Sequence, residues 1–245
     1  MSEQVMSETE REEIADLTLI VPPFAESCIR AAGEAWSASN EHPFVVALVD
    51  GSLDPVKFKF YQMQDARYLE AFADACSLIS MRCPDPDDKL WFIEGARLAV
   101  LVESQLHAGY GAKLGYTAKD IAALDLTPNN RAYQDHMVAR AVRGSLVEAV
   151  GALAPCPWLY TELGTHFKAR LGGDIPDEHP YADWLRTYAD PGFIEYTNDL
   201  LAKLERYAGQ HDEEARVRAR EAFAVSVRYE WMFWQQAWEL QRWAV

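Results

Sequence analysis

The sequence predicts an all-α, single-domain helical bundle, and three observations carry that expectation. Apolar residues recur at steps of three and four along most of the 245 residues, the spacing that lines one face of a helix. No stretch shows the period-two alternation of a half-buried strand, and no internal repeat or long linker divides the chain. The pairs Asp54-Pro55, Thr127-Pro128 and Asp190-Pro191 each join an N-cap to a first-turn proline, so several helix starts are written into the sequence. A hydrophobic content of 49% is ample for a core at this length.

Taken in order, Met1 to Asp16 is polar and lacks an apolar stripe, which gives a mobile tail over residues 1–20 ahead of one helical domain at 21–245. Phe24 to Ser39 has helical spacing, and His42-Pro43-Phe44 starts a shorter helix closed by Asp50-Gly51. Asp54-Pro55 opens a long helix to about Arg82, on which Phe58, Tyr61, Asp65, Tyr68, Phe72 and Ile79 share a face. Cys83-Pro84-Asp85-Pro86 breaks the chain, and a helix from Lys89 to Leu114 ends at Gly115. After a turn or short helix to Asp125, Thr127-Pro128 opens a helix to Arg143 carrying Tyr133, His136 and Met137.

Gly144 separates that helix from an apolar one through Leu146, Val150, Leu153, Cys156, Tyr160, Leu163 and Phe167. Leu171 to His179 reads as loop, Pro180 as the start of a helix to about Ala189, and Asp190-Pro191 as the start of another to Tyr207. The last helix begins near Asp212, and on it Phe223, Val227, Glu230, Trp234 and Ala237 step by four and three. The total is roughly eight to ten helices by this count of caps and breaks.

Charge and cysteine usage exclude several classes. Lys and Arg total 23 against 38 Asp and Glu, a net charge of −15 that repels nucleic acid and anionic lipid. The four cysteines show no Cys-x-x-Cys spacing, the N-terminus is acidic where a signal peptide is basic then apolar, and no apolar run approaches the length of a membrane span. The expectation is a cytoplasmic protein without a nucleic-acid or membrane partner.

Three side chains stand out against this background. Cys156 sits between Pro155 and Pro157 on a buried face, where a kink or restart of the helix aims backbone N–H groups at the thiol and favours a thiolate. The bland reading is a small core cysteine beside a tolerated kink. Asp65 and Glu230 are carboxylates on aromatic or apolar faces, and each reads either as a paired structural acid or as a functional one. Three helices that each present such a group fit a pocket in a bundle core. Glu103 and His107 lie four apart, as in helical di-iron sites, but no second Glu-x-x-His supplies the other half, so no metal is expected.

The ordered motifs His42-Pro43-Phe44, Gln64-Asp65 with Tyr68, Tyr133 before His136-Met137, Pro155-Cys156 with Trp158 and Tyr160, Trp184 to Tyr188, and Tyr229-Glu230 with Phe233-Trp234 resemble those of the TenA, or thiaminase II, family. The likeness runs over nearly the whole chain after about residue 20, with Pro157 and Arg67 as departures, and Cys156 places the chain with the cysteine-containing class. The resemblance implies a haem-oxygenase-like bundle that binds no haem, uses no cofactor and assembles as a homotetramer. It also implies hydrolysis at the methylene carbon of 4-amino-5-aminomethyl-2-methylpyrimidine or of thiamine, giving hydroxymethylpyrimidine in thiamine salvage. On that reading Cys156 is the nucleophile and Glu230 the general acid and base. Asp65 holds the amidine edge, Tyr68, Tyr133, Tyr188 and Phe233 wall the ring, and Tyr160 donates a hydrogen bond near it. Two alternatives stay open: an oxidase-type enzyme on the same bundle, and a non-enzymatic regulator.

Overall fold

The computed structural model describes residues 17–245, with the side chains of 102–108 outside the description. The helical pair Glu103 and His107 and most of the N-terminal tail therefore lie outside the described residues. Residues 17–20 have no regular secondary structure, and the Asn198 side chain accepts from the Ile20 N–H at 2.7 Å and donates to the Thr18 carbonyl at 2.9 Å.

Twelve α-helices and no strand are found among the described residues. They are α1 (Pro23–Ala32), α2 (Glu34–Asn40), α3 (Pro43–Val49), α4 (Pro55–Ser80), α5 (Pro86–Leu114), α6 (Ala118–Ala123), α7 (Pro128–Arg143), α8 (Leu146–Leu153), α9 (Pro155–Arg170), α10 (Ala182–Tyr188), α11 (Pro191–Gly209) and α12 (Glu213–Glu239). The count exceeds eight to ten because two runs counted once each are divided, the second at the kink or restart expected beside the thiol. Phe24 to Ser39 breaks at Gly33, and the Cys156 run is split where Pro155 lacks the N–H that would continue the ladder.

The N-caps act as their sequences require. Asp54 accepts from the Val56 N–H at 2.8 Å, Thr127 from Asn130 at 3.0 Å, and Asp190 from Gly192 at 2.8 Å. His42 does the same for α3, its Nδ1 accepting from the Phe44 N–H at 3.1 Å while Nε2 pairs with Gln235 at 2.9 Å. The first helical residue of α10 is Ala182 rather than Pro180, since residues 179–181 form a turn in which His179 accepts from the Tyr181 N–H.

Helix α12 runs through the middle of the bundle and packs against α1, α2, α4, α7, α8 and α9. Its stripe Phe223, Val227, Glu230, Trp234 and Ala237 is fully inside, with Glu230 only 2% exposed. Helix α4 lies along α5 and crosses α7, and a polar clamp fixes that crossing. Gln64 donates to the Asp125 carbonyl at 2.9 Å and accepts from Asn130 at 2.7 Å, which orients the neighbouring Asp65 toward the bundle interior. No helix among the described residues is long and apolar enough to cross a membrane.

Candidate active site

A cavity of about 700 Å³ opens between α4, α5, α9, α10 and α11. At its inner end Asp65 from α4 meets Cys156 and Tyr160 from α9 and Tyr188 from α10. The first three are placed by local rules. Asp65 belongs to the face of α4 that also carries Leu69 and Phe72 into the cavity wall at steps of four and three. Cys156 and Tyr160 are one turn apart on α9, so both point the same way.

Tyr188 is brought in by a close approach of backbones. A Cβ on Gly164 would stand 2.2 Å from the Tyr188 carbonyl oxygen, so only glycine lets the end of α10 rest on α9. The approach sets the Tyr188 ring edge-on to Tyr160 with centroids 4.7 Å apart. Behind Tyr160, the Tyr61 hydroxyl pairs with its hydroxyl at 2.9 Å, which holds the Tyr160 oxygen in place.

Glu230, Tyr133, Tyr68 and Phe233 form a second layer behind this inner end and do not border the cavity. The Tyr133 hydroxyl donates to Glu230 Oε1 at 2.6 Å. Tyr68 stacks obliquely on Tyr133 at 4.9 Å, meets Phe233 edge-on at 5.6 Å, and donates to Met137 Sδ at 3.3 Å. The eight residues singled out from sequence thus fall into two groups: Asp65, Cys156, Tyr160 and Tyr188 on the cavity wall, and Glu230, Tyr133, Tyr68 and Phe233 behind it.

Electrostatics in this enclosed space departs from one sequence expectation. Burial pushes the Cys156 thiol well above its ordinary range, the Glu230 charge adds to that, and the nearby Tyr68 hydroxyl opposes it. The helix restart at Pro155 does not overcome burial, because Pro155 and Pro157 carry no N–H and the first turn of α9 offers few donors. Cys156 is half-buried and borders the cavity. Burial also raises the Glu230 carboxyl from 4.5 to about 7, against the hydrogen bond from Tyr133. Glu230 therefore titrates near neutrality, where a group that both takes and returns a proton works best.

Nothing in the sequence marks the outer half of the cavity. Gly95, Leu98 and Ala99 of α5 and Phe193 and Tyr196 of α11 line it, and their spacing alone does not distinguish a cavity wall from an ordinary helix contact. Arg67 and Pro157, the two departures from the family pattern, are both accommodated. Arg67 donates to the Leu124 carbonyl and pairs with Glu70, and Pro157 forms part of the cavity wall.

Comparison with known proteins gives a consistent result. The model of the TENA/THI-4/PQQC family matches residues 29–240. The aminopyrimidine aminohydrolase of Halalkalibacterium halodurans is 31% identical over 221 residues, covering 90% of this chain and 97% of that protein. That of Bacillus subtilis is 30% identical over 90% of this chain and 92% of its own length. A solved TenA homologue from P. horikoshii OT3 superposes with a TM-score of 0.77 at 31% identity, over 88% of this chain and 98% of that one. A heme oxygenase-like domain from Shewanella denitrificans shares the fold at a TM-score of 0.64 and 13% identity, over 88% of this chain and 92% of that one.

Proposed function

The chain belongs to the TENA/THI-4/PQQC family, and from that premise we propose that it is an aminopyrimidine aminohydrolase of thiamine salvage, acting on aminomethylpyrimidine, thiamine or both. The observation that carries the reading is the convergence of Cys156 and Asp65 on one cavity with Glu230 directly behind it.

Cys156 cannot ionise cheaply beside an ionised Glu230, because two buried anions repel. Passing the thiol proton to Glu230 keeps the buried charge at one, and a carboxyl that titrates near 7 accepts it without a large penalty. The thiolate pair then forms a bond to an electron-poor ring carbon of the pyrimidine, and the ring electrons expel the leaving nitrogen from the methylene; an amine departs with the proton that Glu230 took from the thiol, and a cationic ring nitrogen departs neutral without one. Water adds to the exposed methylene, its proton passes to a carboxylate, and the ring expels the thiolate. Asp65 accepts from the exocyclic amine and favours a protonated, more electrophilic ring. Tyr160 and Tyr188 confine the ring from one side.

The assembly is a homotetramer located in the cytoplasm, with no nucleic acid or membrane partner. Its net charge of −15 opposes contact with phosphates. A face of α5 supports assembly: Leu90 is 63% exposed and Val100 50% exposed, with Ile93 and Leu101 on the same side. Light scattering on the purified protein checks the tetramer. Incubation with aminomethylpyrimidine and with thiamine, followed by chromatography for hydroxymethylpyrimidine, tests the activity; no product from either compound overturns the assignment.

A further inference from the structure

Cys156 stands in a turn that its own sequence leaves poorly tied. Pro155 and Pro157 flank it and neither has an N–H, so the carbonyls of Gly151 and Leu153, four positions back, lose the donors that would join α9 to α8. Three hydroxyl residues with no exposed surface bind this stretch instead: Thr161, Thr197 and Ser226. The Ser226 hydroxyl of α12 donates to the Ala152 carbonyl of α8 at 2.8 Å. The Thr161 hydroxyl donates to the Pro157 carbonyl at 2.7 Å and is paired, also at 2.7 Å, with the Thr197 hydroxyl of α11.

We propose that Ser226 is a positioning residue, with Thr197 as its counterpart on α11, and that their hydroxyls fix the turn of Cys156 at the separation from Glu230 that transfer of the thiol proton requires. The proposal rests on the activity proposed above. Ala152 lies one turn before Cys156 and Ser226 one turn before Glu230, so a single hydrogen bond sets the register of the nucleophile's turn against that of the carboxylate. The backbones meet at the same crossing. A Cβ on Gly151 would stand 3.0 Å from the Ala219 carbonyl oxygen of α12, so glycine lets α8 rest directly on that helix.

The two carbonyls bracket Cys156 along the chain. Ala152 is held from the helix that carries Glu230, and Pro157 from a helix that lines the cavity. Proton transfer from sulfur to carboxylate needs hydrogen-bond reach, and a misplacement of about 1 Å costs about a hundredfold in rate. Asp65 and Tyr188, which hold the ring, sit on α4 and α10, whereas Ser226 and Thr197 act on α8 and α9. Loss of a hydroxyl should therefore disturb the chemical step more than ring binding.

The test measures kcat and KM on aminomethylpyrimidine together with the rate at which iodoacetamide alkylates each cysteine at pH 8, read by peptide mass spectrometry. Ser226→Ala is expected to lower kcat about tenfold or more while KM changes by less than about twofold, the split expected of a displaced nucleophile. Alkylation of Cys156 should rise about threefold or more, because retreat from the Glu230 charge eases formation of the thiolate. Cys28 and Cys76 are fully buried, and their unchanged slow alkylation separates a shifted turn from a loosened bundle. Thr197→Val, which keeps the shape, should act in the same direction, and Thr197→Ser, which keeps the hydroxyl, should restore wild-type values. Circular dichroism checks folding, and Thr197→Val carries the test if Ser226→Ala does not fold. Folded variants with wild-type kcat and wild-type alkylation of Cys156 overturn the positioning role and leave the proposed activity standing, as does a fall in kcat accompanied by faster alkylation of Cys28 and Cys76. No product from the wild type with aminomethylpyrimidine or thiamine removes the activity, and alkylation of the variants then decides alone: an unchanged rate at Cys156 overturns the fixed turn, and a faster rate at Cys156 only upholds it.

Discussion

Replacing Glu230 by Gln tests the electrostatic core of the site without altering its shape. Glu230 is 2% exposed and its carboxyl is raised from 4.5 to about 7 by burial. Because the folded value lies above the unfolded one, the native state holds a proton that the unfolded chain gives up. Stability from this group is therefore present in full below about pH 4.5 and is lost as pH rises through 7. The distance between the two values corresponds to roughly 3 kcal/mol, since each pH unit carries about 1.4 kcal/mol. Gln has no proton to lose and its amide oxygen still accepts from Tyr133. The variant should therefore gain on wild type by about 3 kcal/mol between pH 4 and pH 8. Urea denaturation of both proteins across that range measures the difference, and every other titrating group cancels in the comparison. Hydroxymethylpyrimidine release, followed in parallel, should be lost in the variant at every pH, because Gln cannot take the thiol proton. A stability difference that does not change with pH refutes the reasoning, for it would mean that Glu230 titrates alike in the folded and unfolded chain.

Cys156→Ser should abolish turnover while keeping the helical content, since a hydroxyl nearly matches the thiol in size but is a far weaker nucleophile; activity near wild type refutes the covalent step. Asp65→Asn should lower kcat by more than it raises KM, and Asp65→Ala should damage both, with a loss of roughly 1–3 kcal/mol for the unpaired amidine edge. Steady-state kinetics on aminomethylpyrimidine separate these outcomes, and an Asp65→Ala enzyme with wild-type kcat/KM makes the residue structural. Gly164→Ala should destabilise by about 1–3 kcal/mol and raise KM, because its Cβ falls 2.2 Å from the rigid Tyr188 carbonyl and α10 must move; thermal melts and KM together check this, and an unchanged KM refutes the link from Gly164 to the pocket wall.

The long helices were legible because their signals are local. Asp54-Pro55 and Thr127-Pro128 cap α4 and α7 where the sequence placed them, and the stripes on α4 and α12 turn inward as their periods require. A boundary moved where Gly33 breaks a run, whereas the restart at Pro155 follows from the missing N–H that the sequence shows. The thiol environment was misjudged because a helix start lends its N–H groups only if it has them, and burial depends on everything packed around the sulfur.

By itself the sequence determined the helical class, the caps, and the fact that Asp65, Cys156 and Glu230 face inward, since each follows from spacing along one helix. Only the tertiary structure decided that Asp65 and Cys156 border a cavity while Glu230 stands behind it, and that Gly95, Phe193 and Tyr196 extend that cavity toward the rim. A residue's face on its own helix is fixed by a period of three or four. Whether that face meets a packed neighbour or an open space depends on how helices far apart in sequence cross, and on backbone approaches such as that of Gly164 to Tyr188 that no local pattern encodes.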